Sequence, residues 1–220
     1  HTDGYAGYHS LPEGITVVGC WAHLRRKFDE AVNALPKGEQ VGCAALEGQR
    51  ICNQLFSIER EIAGLPFEER CIQRQSRAKP VLDALLSWAE RSKAPPKSAL
   101  GKAVYYLKEQ WPYLIRYLED GRLEVSNNRA ERSIKPFVMN RKNFLFANTP
   151  NGAQGSAIIF SLIETAKENG LDPYRYLVHI MTNAPVLEGK GKGKEWAEKL
   201  LPEYAPDECR TYSIQNQKDI

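Results

Sequence analysis

Hydrophobic residues near the start of the chain change from a strand-like to a helix-like pattern. Residues 15–20 (Ile-Thr-Val-Val-Gly-Cys) are mostly apolar and β-branched, which predicts a short buried strand. Over residues 21–35 the apolar positions recur every three or four residues, which predicts an amphipathic helix that ends before Pro36. A strand that leads directly into a helix is typical of an α/β fold.

The central part of the chain, residues 36–118, shows only helical periodicity. Apolar residues recur at helical spacing over 51–62, 81–88 and 100–111, and Pro112 is placed to begin a fourth, short helix. No stretch here alternates between apolar and polar residues as a half-buried strand does. We therefore expect an all-helical insertion at 36–118 that interrupts an α/β domain.

The rest of the chain returns to a mixed pattern. The elements predicted there are a helix start at 125–132 that Pro136 ends or kinks, a strand at 143–147, a loop at 149–152, an apolar helix at 156–169 with Gly170 after it, and a core helix opened by Asp172 and Pro173. Residues 119–184 are expected to complete, with residues 1–35, a helix-rich α/β core. Residues 185–220 are expected to be a flexible Gly-Lys linker and a tail with a short docking helix at 196–201.

The composition predicts a folded chain in a reducing compartment. Of its 220 residues, 42% are apolar, which is enough for a sizeable core. The sequence has no run of about 18 apolar residues and no charged-then-apolar leader, so we expect no membrane partner and no secretion. The five cysteines are irregularly spaced, which favours free thiols and a cytoplasmic location.

Positive charge is concentrated in two places. The net charge is only +3, but residues 122–142 hold six basic side chains and two acidic ones. Arg25, Arg26 and Lys27 form a second basic cluster. Local basic patches on a nearly neutral body favour an anionic polymer as partner, with a solvated helix face as the alternative.

A thiol and an imidazole lie three residues apart at the predicted strand-to-helix junction. Cys20 and His23 could meet on one helical face. Zinc would need two further ligands, and no other cysteine or histidine has ligand spacing. A structural role at the junction is the favoured interpretation, and a Cys–His nucleophile of a hydrolase stays open as the weaker one.

Two carboxylates are candidates for metal-dependent chemistry. Asp3 follows strand-like residues and precedes a glycine turn, where a carboxylate can project into a crevice. Glu131 lies inside the basic stretch, but Asn128 to Glu131 also has the spacing of a capping box. Carboxylates that converge beside basic side chains suit two-metal phosphoryl transfer, for which a third acid must come from elsewhere.

Five sequence blocks carry a further signal, at Thr2–Tyr8, Gly19–Phe28, Asn127–Arg132, Arg141–Phe146 and Ser161–Lys167. In this order they resemble the transposases of the insertion-sequence sixty-six family, which are bacterial DDE enzymes with an RNase H-like core. The resemblance implies that Asp3 and Glu131 are the second and third acids of the catalytic triad and bind Mg²⁺ or Mn²⁺. It also implies that Cys20 and His23 give structural support.

The resemblance makes DNA, as transposon ends and target, the expected partner, with self-association as a further option. The side chains expected to contact DNA are Arg129, Arg132, Lys135, Arg141 and Lys142. The first acid of the triad and the family's amino-terminal DNA-binding and zinc-binding segments have no counterpart here. We therefore expect a carboxyl-terminal part of the catalytic domain that binds DNA without cutting it alone, and a non-catalytic DNA-binding or regulatory remnant is the alternative.

Overall fold

The structure, a computed structural model, describes residues 1–5, 7–8, 11–12, 14–144, 147–189 and 195–210, without the side chains of residues 141, 143 and 144. The chain divides into two compact units, His1–Glu131 and Arg132–Ile220. The α-helices of the described residues are α1 (Trp21–Asn33), α2 (Ala44–Ile62), α3 (Phe67–Gln73), α4 (Lys79–Arg91), α5 (Ala99–Leu114), α6 (Asn128–Phe144), α7 (Pro150–Glu168) and α8 (Pro173–Glu188). A π-helical turn, Arg74–Ala78, joins α3 to α4, and a 3₁₀ turn, Ile115–Leu118, follows α5.

The described residues form a helix-rich fold, and the α/β part of our fold prediction is wrong for them. They contain no β-strand, only isolated bridges between Thr2 and Gly19, which is parallel, and between Leu171 and Arg210. A strand at 15–20 would need a neighbouring strand with which to form a ladder of hydrogen bonds. Thr2 bonds to this segment, but the N–H of Gly19 donates to the carbonyl of Tyr113, at the end of a helix, at 2.9 Å. An RNase H-like sheet is therefore not seen in this part of the chain.

The strand predicted at 143–147 is also not observed. Asn143 and Phe144 are the last residues of α6, while Leu145 and Phe146 lie outside the described residues. A short apolar run cannot be distinguished from a helix end by its periodicity, and continuing α6 satisfies the backbone locally. Pro136 lies inside α6 and does not end it.

Two further predictions of element ends are wrong for identifiable reasons. Pro112 lies inside the last turn of α5, where the carbonyl it leaves without a helical donor belongs to the exposed residue Lys108. Residues 150–152 begin α7 instead of forming a loop, because the Thr149 hydroxyl caps the helix by accepting from Gly152 N–H at 3.0 Å and Pro150 takes the first helical position.

The first unit is built on close contacts between α1, α2 and α5. Trp21, the first residue of α1, is fully buried, and its ring meets Trp111 and Tyr117 edge to face at 6.3 Å. Gly48 of α2 faces the Phe28 ring, and a β-carbon there would lie 2.6 Å from the ring edge. The absence of a side chain at this position is what lets α1 and α2 approach so closely.

The second unit has a smaller core at the end of α7 and along α8. Gly170 has φ +69° just after α7, and Asp172 caps α8 by accepting from Arg175 N–H at 2.9 Å, so both helix-end predictions are confirmed. Tyr176 donates to the carbonyl of Leu200 at 2.7 Å, which docks the 3₁₀ turn Glu195–Leu200 onto α8. None of the helices in the described ranges is both long and apolar enough to cross a membrane.

A buried arginine organises the connection between α5 and α6. Arg74 is fully buried in the π-helical turn and pairs with both carboxylate oxygens of Glu59, at 2.9 and 2.7 Å. Its guanidinium also donates to three backbone carbonyls, those of Tyr117, Asp120 and Leu123, at 2.7–2.9 Å. Arg74 therefore fixes the course of the chain just before α6.

We predict that Arg74→Met destabilises the protein by about 3–5 kcal/mol, because the buried Glu59 carboxylate and three carbonyls lose their donor. Arg77→Met is the matched control, since Arg77 pairs with Glu61 while 39% of its side chain is exposed. That change should cost less than about 1 kcal/mol. Urea unfolding followed by tryptophan fluorescence measures both, and equal losses would contradict the role given to Arg74.

Candidate active site

The junction between the extended segment and α1 joins three parts of the first unit. Thr2 N–H donates to Val18 at 2.9 Å, which places the amino-terminal residues beside this segment. Trp21 N–H donates to the carbonyl of Val125 at 3.1 Å, and its indole N–H donates to Leu114 at 2.9 Å. The amino-terminal segment, the end of α5 and the residues before α6 therefore meet at one junction.

Gly19 permits a close approach at this junction. A β-carbon at Gly19 would lie 3.0 Å from the backbone nitrogen of Leu114, a tight contact that the backbone there would have to yield to. The glycine therefore lets the extended segment approach the carboxyl end of α5, where its N–H bonds to Tyr113.

Asp3 lies exposed at a turn that is anchored on α5. Its Oδ1 accepts from Tyr5 N–H at 3.1 Å, and its backbone carbonyl accepts from the Tyr106 hydroxyl at 2.7 Å. Gly4 has φ +85° and packs against the buried Gln110 side chain. Burial, assisted by the nearby Cys20 and Asp3, raises the pKa of Tyr106 to about 12, so this hydroxyl stays a donor at neutral pH.

The Cys-x-x-His motif contacts the start of α6. Cys20 is fully buried, and its sulfur accepts from Asn127 N–H at 3.4 Å. His23 Nε2 lies 3.5 Å from Glu131 Oε1, while the buried Nδ1 has no hydrogen-bond partner among the described residues. Cys20 thus bonds to the backbone just before α6, and His23 lies beside the Glu131 carboxylate in the first turns of α6.

Glu131 lies on α6 with 46% of its side chain exposed. Its N–H donates to the carbonyl of Asn127 at 3.0 Å, and α6 begins at Asn128, so Glu131 is the fourth helical residue and not the third that a capping box requires. Among the described residues, the partner of its carboxylate is His23. Glu131 therefore lies beside His23 and not at the position of a capping box.

The structure does not support the Cys–His hydrolase interpretation. A nucleophile must be reached by its substrate, but Cys20 has no exposed surface. A zinc site is not favoured either, because no three His, Cys, Asp or Glu side chains of the described residues come together as a metal-binding group. Cys20 and His23 instead contact the residues at the start of α6.

Most of the basic side chains expected to contact DNA are exposed on α6. Arg129 lies 3.5 Å from Glu124, and Arg132, Lys135 and Lys142 are exposed. At about 100° per residue these four positions fall within an arc of roughly 140° on the helix. The backbone of Arg141 belongs to α6, but its side chain lies outside the described part of the chain.

The opposite side of α6 is apolar. Ser133, Ile134 and Phe137 line a cavity of about 460 Å³ with residues of α7, and the Phe137 and Phe160 rings meet at 5.2 Å. The basic arc of α6 therefore points away from the helix that α6 packs on.

Sequence patterns gave no signal for two residues that shape this region. Tyr106 supports Asp3 from α5, and Arg74 fixes the chain before α6. Both residues lie in the stretch predicted only as a helical insertion. Their partners are between 15 and 103 residues away in sequence, so no local spacing could identify them.

The comparisons with known proteins identify the class of protein to which these features belong. Residues 1–155 match the model of the family described as "Transposase IS66 family", and residues 161–202 match the "IS66 C-terminal element". The chain belongs to the IS66 transposase family, as the five sequence blocks indicated. No solved structure matches this chain.

Three curated relatives come from Sinorhizobium fredii (strain NBRC 101917 / NGR234). The chain is 34% identical to "Uncharacterized protein y4hP" over 76% of its own length and 32% of the relative's. It is 35% identical to "Uncharacterized protein y4jD" over 81% of its own length and 36% of the relative's. It is 32% identical to "Uncharacterized protein y4qI" over 93% of its own length and 39% of the relative's. The chain thus spans about a third to two fifths of the length of these relatives.

We predict that iodoacetamide modifies Cys43 and Cys71 before Cys20 and Cys52 in the folded chain. The first two are partly exposed and the last two are buried, and burial raises the pKa of Cys52 to about 12, which suppresses its thiolate. Buried thiols should react only through local opening, about tenfold more slowly for every 1.4 kcal/mol of opening free energy. Mass spectrometry of timed samples measures the order, and early modification of Cys20 would restore the nucleophile hypothesis.

Proposed function

We propose that this chain is the part of a DNA transposase that carries two of its catalytic carboxylates, Asp3 and Glu131, and a DNA-binding face on α6. The observation that carries the proposal is the junction at Gly19–Trp21. It ties the segment that bears Asp3 and the chain leading to Glu131 to the same residues of one compact unit. Family membership supports the transposase class.

The role proposed for the carboxylates is to bind metal ions that activate the attacking oxygen and stabilise the leaving one, as in other phosphoryl transfers. Asp3 and Glu131 offer the hard oxygen ligands that Mg²⁺ or Mn²⁺ prefers. They do not form a metal site by themselves, since no group of three ligands exists within the described ranges. A DDE site therefore requires a further carboxylate, and the RNase H-like sheet requires strands beyond the single Thr2–Gly19 bridge.

His23 is proposed to position Glu131. Nε2 of His23 lies 3.5 Å from the Glu131 carboxylate. The sulfur of Cys20 accepts a hydrogen bond from the N–H of Asn127, just before α6. A carboxylate restricted in this way needs less reordering when it binds a metal. His23 therefore acts on the orientation of Glu131 and not on the DNA.

The basic arc of α6 is proposed to contact the phosphate backbone of transposon ends and target DNA. Arg132, Lys135 and Lys142 present exposed positive charges there, next to Arg129. Such contacts release counterions from DNA and position the duplex without sequence specificity. The proposed location of this activity is the bacterial cytoplasm, where the DNA lies.

We predict that Arg132→Gln/Lys135→Gln lowers the slope of log binding constant against log salt concentration by about two units, since each lost phosphate contact removes about one. Fluorescence anisotropy with a labelled duplex at several salt concentrations measures the slope. Lys93→Gln/Lys97→Gln is the control, because it removes the same charge from exposed residues between α4 and α5. Equal slopes for the two double variants would rule out the α6 face.

We predict that the 220-residue chain does not cleave DNA in Mg²⁺, and that a longer family protein with the further carboxylate does. In that longer protein Asp3→Asn or Glu131→Gln should reduce cleavage on the order of 10³-fold, as expected for a lost metal ligand, and leave DNA binding intact. Glu119→Gln, an exposed acid before α6, should have no effect. Undiminished cleavage by the Glu131→Gln protein would reject Glu131 as a catalytic acid and favour a DNA-binding role without catalysis.

A further inference from the structure

The first unit also contains a basic pocket, which is lined by neither Asp3 nor Glu131. It has a volume of about 550 Å³ and lies between α1, α2 and the first residue of α6. Its charged lining consists of three arginines, Arg25, Arg26 and Arg60, and one acid, Asp29. We call this feature the arginine pocket.

The arginines of the pocket are available to a ligand. Arg25 is oriented by its Nε–H, which donates to Asn53 Oδ1 at 2.6 Å, and this leaves the two terminal nitrogens as donors. Arg26 and Arg60 are exposed, and neither has a hydrogen bond or ion pair within the described part of the chain. Arg60 also interacts electrostatically with the adjacent Glu61. Two exposed guanidinium groups and one oriented group thus share one concave surface.

The only acid of the lining does not neutralise these arginines directly. Asp29 Oδ1 accepts from Gln49 at 2.6 Å, and Oδ2 accepts from Asn33 at 3.3 Å. Both oxygens are therefore engaged by amide groups, which leave the carboxylate charged but bound to neutral donors. With three arginines and one aspartate, the lining keeps an excess of positive charge that favours an anion.

The start of α6 adds a second feature that favours an anion. Asn128 lines the pocket and is the first residue of this 17-residue helix. The earliest α-helical bond there runs from Glu131 N–H to the carbonyl of Asn127, so Asn128 lies in the first turn of the helix. A helix amino terminus carries partial positive charge and stabilises phosphate groups.

We propose that the arginine pocket binds phosphate groups of the DNA backbone, as a second contact separate from the basic arc of α6. Guanidinium groups pair with phosphate oxygens through two parallel hydrogen bonds, which suits three arginines on one concave surface. The volume accommodates more than one phosphate and the sugar between them. This assignment rests on the proposed function, because it takes DNA as the source of the phosphate.

The test measures binding of a labelled duplex by the 220-residue chain and by Arg26→Gln/Arg60→Gln. The expected result is a salt slope lowered by about two units and an affinity reduced on the order of tenfold or more at 50 mM salt. Arg26→Lys/Arg60→Lys keeps both charges and should keep the slope. Lys93→Gln/Lys97→Gln controls for net charge, and thermal unfolding confirms that these surface variants are folded.

The outcomes separate this inference from the proposed function. If Arg132→Gln/Lys135→Gln weakens DNA binding and Arg26→Gln/Arg60→Gln matches the lysine control, the pocket assignment is overturned and the α6 face remains. If the unaltered chain does not bind DNA, the proposed function fails. In that case the chain is titrated with inorganic phosphate, and the NMR signals of the arginine Nε–H groups report on binding. Binding of phosphate by a chain that does not bind DNA would overturn DNA as the ligand of the pocket.

Discussion

The requirement that buried backbone groups find hydrogen-bond partners determines how this region is assembled. Gly19 and Trp21 lie in the buried interior, where an unpaired N–H would cost free energy, and their donors bond to the carbonyls of Tyr113 and Val125. These carbonyls belong to the end of α5 and to the chain before α6. A single short segment therefore aligns elements that are about 100 residues apart in sequence, and the candidate carboxylates depend on that alignment.

Side chains next to the junction add further contacts to the start of α6 and to Asp3. The sulfur of Cys20 holds Asn127, and His23 meets Glu131 four residues later. On the other side Tyr106 donates to the backbone of Asp3. Both residues of the Cys-x-x-His motif thus contact the start of α6 from α1 and the residue before it, and their supporting role stays a prediction.

Arg74 shows how a costly buried charge can serve this architecture. Removing a guanidinium from water is unfavourable unless all its donors are paired, and here Glu59 and three carbonyls pair them. Those carbonyls belong to the connection between α5 and α6, a segment that has no regular strand or helix after Leu118. The charge therefore holds three carbonyls of this connection at one guanidinium group.

The sequence by itself determined the helices with strong periodicity, the caps at Gly170 and Asp172, and the family, because these depend on local spacing and on blocks of neighbouring residues. It also singled out Asp3 and Glu131, whose catalytic role stays a prediction. Only the tertiary structure decided that residues 15–20 form a single bridge and no strand, since pairing depends on a partner elsewhere in the chain. The same holds for Tyr106, Arg74 and the arginine pocket, because side chains from distant helices meet only after packing brings those helices together.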